Sequence, residues 1–553
     1  MSSTVERLVA SWDDVIPAAM RRNDVPGLAI GICDANGTLW TRGYGRTRRD
    51  GGMAVTPSTR FSVQSTSKLV TATLALRAVQ LGLVELDAPA RQYLPEFTVR
   101  SAFEAAPHER ITLRHLLNHT AGLTHDAPIG SNFDVGSGSW ADHCASINRT
   151  WLRCSVGHHF EYSNLGIDLA GLILERVWQA PFAELAALEL FMPLQMTRST
   201  FDAQVMAADP QRAVGHWTPF DRAQRELPVE VPMIPAGGLY TTVEDALRFL
   251  RLHLRRGVPV LTSAVLGSQY VVSPVDPRQR LGYALGVYVD EWAAGTRVLH
   301  HGGSGWGYQT QLCWLPDAGL GLVVLTNSFD HDLQNELARA FAEHVAQREG
   351  LPRASPPEHR SGANEAGDVS GLAGHYVGRL GDLTLRVQGE RLVAVRDGQE
   401  LEAAVTAPHT IQLADERGRL LVARPGRAGT ATYLCDLHDG QTYYRNEAVD
   451  TPASELPPQY AGSYAASLCG VEVARFALWQ DGASPVIRRG DEADLRLSPV
   501  DETHYLSSDG EILDLTQPGV TYANVALTRV GDALPTAAGS RRSSVRGAVS
   551  APQ

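Results

Sequence analysis

The pattern of apolar residues in the sequence changes near residue 350, and this change limits the folds that the chain can adopt. Before that point, apolar β-prone runs alternate with helical patterns, whereas after it only short alternating segments occur, separated by Gly and Asp turns. The segment Gly350–Gly371 carries Pro352, Pro356 and Pro357, a composition typical of an exposed linker. A chain of 553 residues is also too long for one ordinary core. We therefore expect an α+β domain followed by smaller β domains.

The first part of the chain carries clear signals for individual elements. Asp34-Ala35-Asn36-Gly37 separates two β-prone runs, and Asn-Gly at such a point indicates a hairpin. The stretch from Lys68 to Leu81 is apolar nearly all round and is followed by Gly82, so it predicts a buried helix. The other predicted elements are strands at Leu28–Cys33, Thr38–Tyr44, Val298–His301, Gln309–Leu315 and Gly321–Thr326, a helix opened by a capping box of Thr241 and Glu244, and a helix through Leu333, Leu337, Phe341 and Val345.

The second part predicts two small antiparallel β-barrels or sandwiches. A faint internal repeat supports two units, because Leu372-Ala373-Gly374-His375-Tyr376 is similar to Tyr460-Ala461-Gly462-Ser463-Tyr464 and each opens a β-rich run. The predicted boundaries are 1–349 for the first domain, 350–371 for the linker, 372–449 and 450–533 for the two β-barrel domains, and 534–553 for a disordered Ser/Arg/Ala/Gly-rich tail.

Composition excludes several classes of function. The formal net charge of −12 argues against non-specific nucleic-acid binding, which needs a basic surface. No segment approaches the roughly 18 apolar residues of a transmembrane helix, so no membrane partner is expected. The six cysteines never form a CxxC pair and the N-terminus lacks a signal-peptide pattern, so we expect a cytoplasmic protein.

Ser65-Thr66-Ser67-Lys68 stands at the start of the predicted buried helix. Residues three apart share a helix face, so the Ser65 hydroxyl and the Lys68 amine would lie side by side. A serine is a weak nucleophile until a neighbour takes its proton, and a desolvated lysine near other cations can do so. Because SxxK is a short pattern that arises often by chance, it needs support from other motifs.

Two further motifs follow in chain order. Tyr162-Ser163-Asn164 precedes an apolar helical stretch, and a tyrosine phenol near a cationic lysine could carry protons at neutral pH. His301-Gly302-Gly303 ends a predicted strand, where glycines would let a substrate backbone approach the strand edge. Taken singly, these motifs also fit a helix-capping loop and a glycine-rich hairpin with a surface histidine.

Together, the order SxxK, YxN, HxG resembles one known family: class C serine β-lactamases, penicillin-binding proteins (DD-peptidases) and their esterase and D-aminopeptidase relatives. The resemblance covers Leu8 to Val345. The other matching segments are Ile111–Leu123 (ITLRHLLNHTAGL, like ITIRHLLxHTSGL), Phe160–Gly166 (FEYSNLG, like FxYSNxGY) and Ala236–Asp245 (AGGLYTTVED, like AGGLxSTxxD). The implied fold is a β-lactamase/penicillin-binding-protein-like catalytic domain, with an antiparallel sheet flanked by helices and a helical subdomain.

The resemblance implies roles for the first two motifs. Ser65 would be the acylated nucleophile, and Lys68 and Tyr162 would share the general-base and general-acid work. Asn164 would hydrogen-bond the substrate amide.

The third motif departs from the commonest pattern of the family. His301 stands where many members have the lysine of KTG, with Gly303 opening the strand edge. The backbone N–H groups of Ser65 and Ser304 would form the oxyanion hole. A lysine at this place suits the carboxylate of a β-lactam, whereas histidine is typical of the esterase and aminopeptidase branches.

The three-part architecture is similar to that of bacterial D-aminopeptidases of this family. In those enzymes a loop of the last barrel supplies an acid for the substrate ammonium, and the corresponding loop here would be Ser507–Gly519, with Asp514 or Asp509 as the acid. The alternative without a function is that both are solvated aspartates in turns.

No cofactor or metal is expected. His115 and His119 are spaced i and i+4 for a helix, a zinc-compatible pair, but Leu116 replaces the glutamate that HExxH needs. There is no G-x-S-x-G elbow for an α/β-hydrolase, and Gly303-x-Gly305-x-Gly307 lacks the following helix of a dinucleotide loop.

The sequence therefore predicts a serine hydrolase that cleaves amide or peptide bonds through an acyl-enzyme on Ser65, with a D-aminopeptidase-like peptidase as the first choice. The alternatives are a carboxylesterase, a β-lactamase or DD-peptidase, a non-ribosomal-peptide hydrolase, a peptide-cyclising thioesterase and, in another class, a sensor of peptides or β-lactams that does not turn over. The expected partner is a small peptide, amide or ester substrate, and homo-oligomer formation stays open.

Overall fold

A computed structural model describes residues 3–532 with internal gaps. The gaps are 131–137, 219–224, 228–231, 273–280, 293–294, 330, 352–371, 379–380, 390, 397, 408–409, 415–418, 426–431, 437–441, 446–454, 469–470, 483, 491, 493 and 517–518. The predicted linker (apart from its first two residues) and the predicted disordered tail lie outside the described residues.

A seven-stranded antiparallel sheet forms the centre of the first domain, in the order β2-β1-β11-β10-β9-β8-β7. Its strands are β1 (Gly27–Asp34), β2 (Thr38–Gly45), β7 (Gly282–Tyr283), β8 (Tyr288–Trp292), β9 (Thr296–Gly305), β10 (Tyr308–Leu315) and β11 (Leu320–Thr326), and four short strands pair outside it: β3 (Phe61–Ser62) with β6 (Tyr240–Thr241), and β4 (His216–Trp217) with β5 (Arg225–Glu226). The predicted hairpin is confirmed, because the Asp34 carboxylate accepts the N–H groups of Asn36 and Gly37 at 2.7 and 2.8 Å.

Helices cover both faces of this sheet, so its central strands are buried on both sides. The helices are α1 (Ser3–Arg22), α2 (Ser67–Gln80), α3 (Leu113–Leu117), α4 (Trp140–Ile147), α5 (Asn164–Trp178), α6 (Phe182–Ala186), α7 (Ala203–Ala208), α8 (Ile234–Gly237), α9 (Val243–Leu254), α10 (Ser263–Gln269) and α11 (Leu333–Glu349). One apolar core holds α1 and α11 against one face, and a larger core holds α2, α5 and α9 on the other side. This arrangement explains why β1 and β11 read as continuous apolar runs rather than alternating ones.

The predicted buried helix is α2, and it carries Lys68, the last residue of the SxxK motif. Its residues from Ser67 to Leu76 are all buried, and the chain leaves it through Gly82 at φ +72°. A glycine reaches this left-handed conformation without steric cost, which is why it ends the helix so well. The first turn of α2 is reached through a 3₁₀ turn, Gln64–Thr66, that lies against β9.

The capping box predicted for α9 was displaced by one residue. The N-cap is Thr242, whose hydroxyl accepts the N–H of Asp245 at 3.2 Å, and not Thr241. Thr241 belongs to β6 and Glu244 accepts the hydroxyl of Ser58 at 3.0 Å, so tertiary contacts decided between two adjacent threonines.

The β-rich part of the chain forms two closed barrels of eight strands each. The first comprises β12 (Gly374–Gly378), β13 (Gly381–Gln388), β14 (Arg391–Arg396), β15 (Gln399–Ala407), β16 (Thr410–Leu413), β17 (Leu420–Pro425), β18 (Thr432–Asp436) and β19 (Thr442–Arg445). The second comprises β20 (Gly462–Leu468), β21 (Val471–Asp481), β22 (Ser484–Arg489), β23 (Leu495–Pro499), β24 (His504–Ser507), β25 (Ile512–Asp514), β26 (Val520–Tyr522) and β27 (Val525–Gly531). The predicted fold class, an α+β catalytic domain with two antiparallel barrels, is confirmed.

The internal repeat has a structural counterpart in the two barrels. The hydroxyl of Tyr376 donates to the carbonyl of Leu372 at 2.8 Å, and the hydroxyl of Tyr464 donates to the carbonyl of Tyr460 at 2.6 Å. In each barrel the first strand is thus tied to the residue four positions earlier by a buried tyrosine. Along the described ranges, no helix is both long and apolar enough to cross a bilayer.

Candidate active site

Ser65 and Lys68 lie side by side at the start of α2. Lys68 Nζ donates to Ser65 Oγ at 3.0 Å and to the carbonyl of Ala236 at 2.9 Å, and the lysine is fully buried. Gln64, directly before the serine, has φ +50°, a left-handed conformation that costs energy for a residue with a side chain. Ser65 lies in the 3₁₀ turn that this residue begins, with its hydroxyl next to the Lys68 amine.

Tyr162 stands beside this pair on the segment that leads into α5. Its ring centroid is 4.9 Å from Lys68 Nζ, and the residue is 3% exposed. The N-cap of α5 is Ser163, whose hydroxyl accepts the N–H of Gly166 at 3.1 Å and fixes where the helix begins. The ring of His119 packs against the tyrosine with centroids 4.4 Å apart. SxxK and YxN are therefore brought together in space.

Asn164 is held in one orientation by a carboxylate. Its Nδ2 donates to Asp126 Oδ1 at 2.8 Å, and a carboxylate only accepts hydrogen bonds, so the amide cannot be flipped. Its Oδ1 is buried and has no hydrogen-bond partner among the described residues. A buried acceptor without a partner is costly, and a ligand N–H would satisfy it.

His301 is fully buried on β9 and both ring nitrogens are engaged. Nδ1 lies 2.6 Å from the carbonyl of Gly302, and Nε2 lies 2.8 Å from the hydroxyl of Tyr283. Burial, and then the neighbouring Lys68 ammonium, lower the pKa of His301 to about 3. The imidazole is therefore neutral, donating through Nδ1 and accepting through Nε2. This environment does not favour a cationic His301.

The edge of β9 runs past the SxxK turn. A Cβ on Gly303 would lie 2.0 Å from the carbonyl oxygen of Val63, so only glycine allows β9 to approach this closely. Ser304 follows in β9, paired with Gln309 of β10, and Trp306 and Gly307 form the two-residue turn between the strands at φ +51° and +82°. The HGG segment is thus part of a glycine-rich hairpin that also borders the site.

The prediction that His115 and His119 lie on one helix was wrong. Helix α3 ends at Leu117, and His119 lies beyond it at φ +59°. His115 lies 3.2 Å from the N–H of Thr112 and 3.1 Å from its hydroxyl, in the cap of α3, whereas His119 packs on Tyr162. Across the described ranges no group of three or more His, Cys, Asp and Glu residues is arranged to hold a metal ion.

Two turns of the second barrel contact the segment 124–126, whose Asp126 binds the side chain of Asn164. Glu511 accepts the hydroxyl of Thr124 at 3.0 Å, and Asn524 donates to the carbonyl of Asp126 at 3.0 Å. The two acids named from sequence have other contacts: Asp509 accepts the hydroxyl of Tyr522 at 3.0 Å, and Asp514 accepts the N–H of Thr516 at 2.7 Å. The second barrel therefore contacts the segment 124–126 through Glu511 and Asn524.

A mostly buried ionic cluster joins both barrels to the residue before Tyr162. Arg153 lies 2.7 Å from Glu161 and 3.0 Å from Glu511. Glu161 also contacts His159 at 3.0 Å and accepts the hydroxyl of Tyr444 from the first barrel. Burial alone would raise the pKa of Glu161, but Arg153 and these hydrogen bonds lower it to about 2.

The second carboxyl of this cluster behaves in the opposite way. Burial raises the pKa of Glu511 to about 7, and Arg153 opposes the shift only in part. The native state therefore holds a proton that the unfolded chain releases near pH 4.5, so the free energy of unfolding falls as pH rises between these values. The full effect is about 3 kcal/mol.

Glu511→Gln is expected to remove this pH dependence. Relative to wild type, the variant should become more stable as pH rises from 4.5 to 7.5, as measured by apparent melting temperature at each pH. Glu502→Gln, at an exposed glutamate of the same barrel, is the matched control and should follow wild type. Parallel curves for Glu511→Gln and wild type would contradict the assignment.

One sequence signal for the site is compositional. The chain contains 49 Lys and Arg residues, and Lys68 is its single lysine. Arginine stays charged in proteins and cannot accept a proton, whereas a buried lysine can. The sole lysine of the chain is thus the lysine of the SxxK motif.

The fold and this Ser–Lys–Tyr grouping define a serine hydrolase of the class that includes penicillin-binding proteins and serine β-lactamases. The Beta-lactamase family model matches residues 12–347, more than half of the chain, and the chain belongs to that family.

Known proteins of several activities resemble the chain. Penicillin-binding protein 4 of Amycolatopsis lactamdurans is 28% identical over 391 residues, which cover 66% of this chain and 97% of that protein. Esterase EstB of Burkholderia gladioli is 28% identical over 387 residues, covering 62% of this chain and 96% of the esterase. The solved structure of SurE with D-Leu matches with a TM-score of 0.56 at 20% identity, covering 80% of this chain and 99% of SurE, a likeness of fold.

Proposed function

We propose that the chain hydrolyses amide or peptide bonds through an acyl-enzyme on Ser65, with a short D-configured peptide or aminoacyl amide as substrate. Lys68 takes the proton of the Ser65 hydroxyl as it attacks the carbonyl carbon. Tyr162 gives its own proton to the leaving amine and is reprotonated by Lys68. Water then attacks the ester, which releases the acid and regenerates Ser65. The short Lys68–Ser65 contact supports this assignment.

The observation that carries the choice of an amide is the buried Oδ1 of Asn164. Because Asp126 occupies Nδ2, the atom left for a ligand is an acceptor, and it fits an N–H group of the substrate. An ester without such an N–H leaves this acceptor unpaired. The amide side of a peptide therefore gains a hydrogen bond that a simple ester does not.

Because His301 is neutral, we expect a substrate that does not need a carboxylate group at this edge of the site. Both of its nitrogens are engaged by Tyr283 and Gly302, so it offers no positive charge where the lysine of KTG would stand. This favours the peptidase and esterase alternatives over β-lactam hydrolysis. SurE, a protein of the same fold described with D-Leu, supports D-residues as the first substrates to test.

A panel of D- and L-aminoacyl p-nitroanilides, short-chain p-nitrophenyl esters and a chromogenic cephalosporin tests the proposal. We expect the highest kcat/KM on a D-aminoacyl anilide, about tenfold or more above its L-enantiomer. Asn164→Ala should lower kcat/KM more for the anilide than for an ester, by about 10- to 100-fold, the value of one buried hydrogen bond. Turnover of esters or the cephalosporin without any anilide would overturn the choice of an amide substrate.

A further inference from the structure

A buried hydrogen-bonded chain continues behind Lys68, away from Ser65. Lys68 Nζ donates to the carbonyl of Ala236, and the N–H of the same residue donates to Asp168 Oδ1 at 2.9 Å. Asp168 is fully buried on α5, one helical turn after Asn164. A carboxylate in such a place needs partners, because a bare buried charge is costly.

The second oxygen of Asp168 is paired with a histidine. Asp168 Oδ2 lies 3.1 Å from His143 Nε2, and His143 Nδ1 lies 2.7 Å from the carbonyl of Ile129. Since a carbonyl only accepts, Nδ1 carries a hydrogen, and the bond between Nε2 and Oδ2 requires one more proton. The His143–Asp168 pair thus holds a proton that the mechanism on Ser65 does not use.

The surroundings favour an imidazolium facing a carboxylate. Burial alone would lower the pKa of His143, but the hydrogen bond and charge of Asp168 raise it, and Asp126 adds to this. Burial raises the pKa of Asp168, opposed by His143, the Ala236 amide and Lys68. Cys144, the neighbour of His143 on α4, is a neutral thiol because burial raises its pKa.

Three further groups lie around Lys68: the Ser65 hydroxyl, the Tyr162 ring and the neutral His301. Asp168 supplies a carboxylate charge behind the lysine, close enough for the two charges to interact, and His143 balances that charge on its far side.

We propose that Asp168 and His143 are positioning residues that set the pH at which Lys68 can accept the Ser65 proton. The carboxylate holds the Ala236 segment that accepts from Lys68, and its charge stabilises the ammonium form. His143 limits that stabilisation by neutralising the carboxylate. This inference rests on the proposed role of Lys68 as the base.

Two near-isosteric substitutions should shift the pH at which Lys68 releases its proton, in opposite directions. In Asp168→Asn, the amide oxygen still accepts from Ala236 and the amide nitrogen donates to a neutral His143, so only the charge is lost and Lys68 releases its proton at lower pH. In His143→Gln, an amide N–H still reaches Asp168, but the carboxylate loses its counter-charge and Lys68 releases its proton at higher pH. We expect shifts of at least about half a pH unit each, from one unit charge inside the protein.

The titration can be read directly, because the chain has a single lysine. Protein grown with lysine labelled with ¹³C at Cε gives one side-chain resonance, followed against pH in wild type and both variants. The rate of fluorophosphonate labelling, plotted against pH, should have an acid limb that moves in the same direction as the lysine titration. His253→Gln, at a buried histidine bonded to Tyr270 at 2.7 Å away from the site, is the matched control and should leave the resonance in place.

Opposite shifts of the lysine resonance support the inference, and unchanged or same-direction shifts overturn it. A merely structural role would lower the labelling rate at every pH without moving the limb. If one variant does not fold, the direction of the other decides. Failure of wild type to be labelled at Ser65 would instead reject the proposed function, so the two failures are distinguishable.

Discussion

Ser65→Ala is expected to lower kcat/KM on the best substrate of the panel by about a thousandfold or more. The reason is that, in the proposed mechanism, the hydroxyl that accepts from Lys68 forms the acyl ester, and nucleophile and base act as one unit. The measurement is initial-rate hydrolysis at matched enzyme concentration. The protein should remain folded, with a melting temperature within a few degrees of wild type, because a single small polar atom is removed.

Thr73→Ala is the matched control for Ser65→Ala. Thr73 lies on α2, the helix that follows Ser65, and its hydroxyl donates to the carbonyl of Leu69 at 2.8 Å. The control should retain activity within a few-fold of wild type. If Ser65→Ala kept more than about a hundredth of wild-type kcat/KM, the assignment of the nucleophile would be wrong.

Lys68→Met should be nearly as damaging, with a loss of about a thousandfold or more in kcat/KM. Methionine fills the space of the lysine stem within the buried core but has no amine to take the Ser65 proton. The effect on stability should be modest compared with the effect on rate, because removing a buried cation also removes its desolvation cost. Rates of fluorophosphonate labelling give the measurement without reference to the natural substrate.

The labelling rate of Lys68→Met should also lose the pH dependence that wild type shows at its acid limb. Ser65→Ala differs here, because it should not be labelled at all. A Lys68→Met protein labelled at the wild-type rate would show that another group activates the serine.

Local sequence patterns were enough to predict the elements that carry the first motif. The apolar stretch before Gly82 and the Asn-Gly hairpin depend on residues adjacent in the chain, so their structure follows from local chemistry. The two barrels were also predictable, because short alternating strands with frequent turns have few other solutions. The choice between Thr241 and Thr242 as helix cap was not, since it depends on the pairing of β6 with β3.

The surroundings of the site depend on contacts between distant parts of the chain and could not be read from the sequence. The neutrality of His301 results from its burial and from the charge of Lys68, which lies on a distant helix, α2. Arg153 meets Glu511 only because the second barrel docks beside the segment before Tyr162. The count of one lysine among 49 basic residues was, by contrast, available from the sequence and singles out Lys68 directly.

The most direct test of the account is the mass of the protein during turnover. The chain is mixed with the preferred acyl donor, quenched in acid within seconds and analysed intact, then digested with trypsin, which releases the peptide Phe61–Lys68. We predict an added mass equal to the acyl group, located on Ser65 rather than on Ser62 or Ser67, and absent from Ser65→Ala. Turnover without an adduct, or an adduct on any other residue, would contradict the acyl-enzyme on Ser65.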